Sequence, residues 1–136
     1  STANQSLAAA ITGAGTVTQQ GSGTTTLSGT NTFTGTVTVS AGKLILTGSN
    51  ATTATASIGT GATLEIGTGG SLASTAITDN GTLVFNSTAA ITEAAVISGT
   101  GSVTQSGSGT TTMSGNNTFA GAVMPMRFRV LTAITT

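Results

Sequence analysis

Residues 97–123 read ISGTGSVTQSGSGTTTMSGNNTFAGAV, and residues 11–37 read ITGAGTVTQQGSGTTTLSGTNTFTGTV. A chain of 136 residues writes nearly the same Gly-, Thr- and Asn-rich phrase twice, 86 positions apart. The correspondence extends upstream: Ser1-Thr2-Ala3 matches Ser87-Thr88-Ala89, and Ala8-Ala9 matches Ala94-Ala95. Repetition at a fixed offset marks a periodic architecture rather than a fold organised around one site. It divides the chain into a full unit, residues 1–86, and the opening of a second, residues 87–123. Residues 124–136 depart from the pattern.

A shorter period lies inside the unit. Gly42-Lys43-Leu44-Ile45-Leu46, Ala62-Thr63-Leu64-Glu65-Ile66, Gly81-Thr82-Leu83-Val84-Phe85 and Gly101-Ser102-Val103-Thr104-Gln105 share one template. A small residue opens a short segment whose third and usually fifth positions are apolar, the alternation of a strand with one buried face. Leu44, Leu64, Leu83 and Val103 fall 20, 19 and 20 residues apart. Strands at that spacing, separated by Gly and Asn that supply left-handed turns, predict an all-β parallel solenoid of about 20 residues per coil. Like positions then stack ~4.8 Å apart. Leu44, Leu64, Leu83 and Val103 form an internal ladder, with Leu46, Ile66 and Phe85 beside it. Lys43, Ile45, Glu65 and Val84 are expected to face outward. Four coils roughly account for the 86-residue unit.

Composition narrows the function. Charged residues are 4%, three basic against three acidic, and His, Cys, Trp and Tyr are absent. Thr fills about a quarter of the chain. Apolar residues recur throughout, which is the reverse of a disordered composition. No basic patch exists to neutralise phosphates, so nucleic acid is not an expected partner. No apolar run approaches the ~18 residues of a membrane helix, and membrane insertion of this segment is not expected. Without Cys there is no disulfide or zinc framework. No segment has the charged start and apolar core of a signal peptide, so export would require a signal removed or lying outside this sequence.

The doubled words GAGTVTQQGSGTTTLSGTNTFTG and GTGSVTQSGSGTTTMSGNNTFAG, each preceded by Ile, resemble the passenger-associated repeat of Gram-negative autotransporters. The first copy continues as TVTVSAGKLIL, similar to that family's strand, Ala-Gly turn and following strand. The resemblance covers residues 1–123 and implies a right-handed parallel β-helix on the bacterial cell surface or outside the cell, delivered by a translocator barrel in the parent protein. No barrel is present in this sequence. After Val123 the segment MPMRFRVLTAITT replaces the expected strand and turn. There Met126, Phe128 and Val130 alternate with Arg127 and Arg129, which leaves a divergent terminal strand, a cap or sequence foreign to the repeat as readings of 124–136.

Chemistry-bearing residues are few. Glu65 and Asp79 fall on neighbouring coils, but no His, Cys or nearby Arg assists them. The three carboxylates read as solvated charges that keep the surface soluble, and no catalytic, cofactor or metal residue is expected. The Gly-rich words lack the Walker Lys and the βαβ context of phosphate loops. Asp79 is the single Asp, which excludes a GGxGxD calcium roll. Sequons at Asn4, Asn50, Asn80, Asn86 and Asn116 follow from Thr-rich composition. Asn31 and Asn117 are predicted at stacked corners, where Asn tolerates left-handed geometry and its amide pairs along a ladder. Phe33 and Phe119 are predicted to fill the interior.

The Thr tracts at 16–18, 24–26, 36–39 and 110–112 set hydroxyls in ranks on a flat face. Such arrays let some antifreeze proteins meet ice, although Lys43 and Glu65 interrupt the series from coil to coil. The expected role is a non-enzymatic extracellular scaffold mediating surface display, adhesion or self-association, with cell-surface or glycan contacts. Two alternatives are an end-to-end stacking, fibre-forming biofilm protein and a Thr-array ice-binding solenoid.

Overall fold

Alternation of small or β-branched residues between Gly corners produces strands only two to five residues long, and each finds its partner one coil away. The computed structural model describes residues 1–51, 54–124 and 128–130, the last three by backbone alone. Among the described residues every element is a strand and every pairing between strands is parallel. The result is a β-solenoid of about six turns.

Each coil visits three faces in turn. The first holds seven strands, Gln5–Leu7, Thr24–Leu27, Lys43–Leu46, Thr63–Gly67, Thr82–Asn86, Ser102–Gln105 and Val123–Met124. The second is discontinuous, with Ser49–Asn50 beside Ser71–Leu72, then Ile91–Glu93 beside Thr111–Met113 and Phe128–Val130. The third holds five, Val17–Gln19, Val37–Val39, Ala56–Ile58, Ala76–Asp79 and Val96–Ser98. Asn31 extends the second face by an isolated bridge to Asn50.

Inward residues stack on inward residues. Leu44 pairs with Leu64, Leu64 with Leu83 and Leu83 with Val103. Leu46, Ile66 and Phe85 form the adjoining column, which Gln105 continues. All seven apolar members are essentially inaccessible. Burying each contributes roughly 1.5–3 kcal/mol, so the ladder carries much of the driving force in a fold without disulfides.

The 86-residue repeat is not a whole number of coils. Val17–Gln19 lies on the third face, whereas its counterpart in Ser102–Gln105 lies on the first. Thr24–Leu27 lies on the first face and Thr111–Met113 on the second. Asn31 bridges on the second face, while Thr118 donates its N–H to Ile97 of the third-face strand Val96–Ser98. Val37–Val39 lies on the third face and Val123–Met124 on the first. The unit is therefore four coils plus one side, which corrects the expectation of four coils. Each copy of the phrase is turned one face further round the axis.

In the divergent segment, Phe128–Val130 forms a strand in register with Thr111–Met113. Met126 and Arg127, and the reading of the remainder as a cap, lie outside the described residues. No helix of the described residues is long and apolar enough to cross a membrane.

Candidate functional site

The doubled phrase builds the same corner twice. Gln19 Nε2 donates to the carbonyls of Gly21 at 2.9 Å and Gly23 at 3.1 Å, and Thr25 Oγ1 donates to Gln19 Oε1 at 2.7 Å. Gln105 repeats this with Gly107 at 3.1 Å, Gly109 at 2.8 Å and Thr111 at 2.6 Å. A Gln amide has two donors and an acceptor, and this turn uses them all. The Ile11 N–H donates to Asn31 Oδ1 at 2.8 Å, and the Ile97 N–H to Asn117 Oδ1 at 2.9 Å. The corners are thus local devices, indifferent to the face on which they fall.

Asn31, Asn117, Phe33 and Phe119 are all buried. An amide ladder is present at Asn31, where Nδ2 donates to Asn50 Oδ1 at 2.6 Å and Asn50 Nδ2 to Gly48 and Ser71 carbonyls at 2.7 and 3.2 Å, but not at Asn117, whose buried Nδ2 has no hydrogen-bond partner. Left-handed geometry at Asn is corrected, however. Among the described residues positive φ occurs only at glycines, such as Gly42 at 65°. Asn31 and Asn117 hold their corners through side-chain amides, so the backbone needs no strained turn there. Gln19 and Gln105 escaped the sequence reading, although the recurring Q-x-G-x-G-x-T word carries them.

The carboxylates also differ from expectation. Glu65, Asp79 and Glu93 are buried, at 7%, 0% and 4% exposure. Glu65 sits on an outward position but is covered by an ion pair with Lys43 and by the Asn86 amide, which donates to Oε1 at 2.9 Å. Asp79 and Glu93 turn inward and brace corners, Oδ1 accepting from Gly81 N–H at 3.0 Å and Oε1 from Ala95 N–H at 3.0 Å. Burial pushes the Asp79 carboxyl up to about 6 and the Glu93 carboxyl up to about 7, against the pull of those N–H donors. Among the described residues no three His, Cys, Asp or Glu side chains come together as a metal cluster would require.

Two surface features follow from the faces. On the third, Thr18, Thr38, Ser57, Thr78 and Ser98 stand in one register column of hydroxyls, at least partly exposed. Lys43 and Glu65 stand on the first face and do not interrupt it. Not every Thr of the tracts faces out, since Thr25 and Thr111 turn inward to the Gln corners. On the second face, Ser71–Leu72 and Ile91–Glu93 belong to separate ladders. Between them lies a cleft of about 200 Å³, its walls including Ile66, Leu72, Ala73, Ile91, Glu93 and Ala94.

The family model described as Passenger-associated-transport-repeat matches residues 17–44 and 103–124. Both matches begin at the equivalent valines of the doubled phrase, Val17 and Val103. The fold and these segments define a class: a parallel β-solenoid with two segments similar to the passenger-associated-transport repeat. No curated protein and no solved structure matches the chain.

Proposed function

We propose that the chain is a segment of an autotransporter passenger, a non-enzymatic scaffold displayed at or released from the bacterial surface. The observation that carries this reading is the coincidence of two passenger-associated-transport repeats with an unbroken parallel ladder on the first face. A stiff, weakly charged solenoid suits adhesion or self-association through many weak contacts spread along its length. The outward side of its third face, where Asp79 is turned inward and buried, is the surface best suited to such contacts, because no like charges must be brought together there.

Sedimentation velocity across a concentration series tests the association. Reversible oligomers are expected, and Thr38→Lys with Thr78→Lys should return the protein to monomer. A monomer at every concentration, with no adherence to cells or glycan surfaces, would sink this reading.

The unbroken hydroxyl column favours ice binding as a second reading, since the charges that interrupt the Thr series in sequence stand on another face. Freezing of the same two proteins decides it: thermal hysteresis lost with the lysine substitutions supports it, and absence of hysteresis in the unaltered chain rejects it.

A further inference from the structure

We propose that the break in the second face is a binding site for a primary alkylammonium group, held by the Glu93 carboxylate between the apolar walls Ile66, Leu72 and Ile91. The repeat itself supplies a control for Glu93. Its counterpart 86 residues earlier is Leu7, which pairs with Leu27 as Glu93 pairs with Met113. Leu7 is exposed on its rung, yet the register is the same, so this backbone position forms without a carboxylate. Leu7 stands on the end strand of the first face, whereas Glu93 stands beside the break in the second, where the cleft opens.

The chemistry of the cleft selects its ligand. A carboxylate accepts about four hydrogen bonds; the Ala95 N–H supplies one at 3.0 Å, fixing the carboxylate's orientation, and the adjoining Ala94 N–H also favours the anion. Burial of an anion is costly until a cation joins it, and the neighbouring strands offer none. Ser71–Leu72 and Thr111–Met113 contain no ionisable residue, and Thr63–Gly67 carries only Glu65, already paired with Lys43. Arg129 stands two rungs away, in the column of Thr92 rather than that of Glu93. A cleft of about 200 Å³ has room for a short alkyl chain, given that ~150 Å³ accommodates benzene. Apolar walls with one acid suit an aliphatic stem that ends in –NH₃⁺. A free small amine and the lysine side chain of a partner peptide share that chemistry.

Amide chemical shifts report the test. At pH 8, n-pentylammonium is expected to shift Leu72, Ala94 and Ala95 saturably, with n-pentanol at least about tenfold weaker. Glu93→Gln should weaken the amine by about tenfold or more, and acidification to pH 5 should do the same. Glu93→Leu, the residue found in the other unit, should fold and fail to bind. A lysine-containing tripeptide then separates the sources: binding points to a protein partner, and exclusion to a free amine. Amine binding unchanged in Glu93→Gln, or no saturable shift in the unaltered protein, would overturn the proposal.

Discussion

At Gly121 the space for a side chain is occupied by backbone: a Cβ there would overlap the Gly101 carbonyl of the coil below. Gly35 stands over Gly15 in the same way, and these are the same two positions of the repeat. Neither Gly35 nor Gly121 has a positive φ, so what excludes a side chain is close stacking and not turn geometry. Gly121→Ala should therefore destabilise by about 2 kcal/mol or more, since a backbone neighbour has no rotamer with which to yield. Gly13→Ala makes a useful contrast. Its Cβ would meet nothing within 4 Å, and the cost there comes from its φ of 101°. Thermal unfolding followed by circular dichroism compares the two.

The corner elements depend on side chains that complete the backbone's hydrogen bonds. Gln105→Ala would leave the Gly107 and Gly109 carbonyls without this donor and the Thr111 hydroxyl without its acceptor. A loss of about 1–3 kcal/mol is expected in urea unfolding. Gln19→Ala should act in the same direction, because the network is the same although the face differs. This scale also shows where the sequence was readable. Leu44, Leu64, Leu83 and Val103 stood out because alternation and coil spacing both mark them. Gln19, Asp79 and Glu93 did not, since a polar side chain reads as solvated until the path of the turn shows which carbonyl or N–H it meets. The turning of the second phrase was equally hidden: coil lengths that vary by a residue or two blur the difference between four coils and four coils plus one side.

For the whole molecule, the two inward carboxyls set how stability varies with pH. Their folded pKa values, about 6 for Asp79 and about 7 for Glu93, lie above the ordinary 3.8 and 4.5. Below the ordinary values both groups are protonated in either state and burial exacts no charge penalty. As pH rises through 6 and 7 they ionise inside the fold, and that stability is lost. Unfolding should therefore occur at higher temperature at pH 4 than at pH 8, by about 5 °C or more. Glu93→Gln should flatten the upper part of the profile. A melting temperature that rises with pH over this range would contradict the burial of these groups.

The quarter-turn logic of a screw thread applies to the displaced phrase, with thirds in place of quarters. If units of this length continued along a longer chain, a given residue would return to its starting side only after three of them. Bulky and small words would be dealt to each side in rotation, so a slight mismatch in rung height would wind around the axis instead of accumulating along one flank. Over three such units each side would receive every word once, so the hydroxyl-bearing side of one unit would pass to each side in turn along the rod.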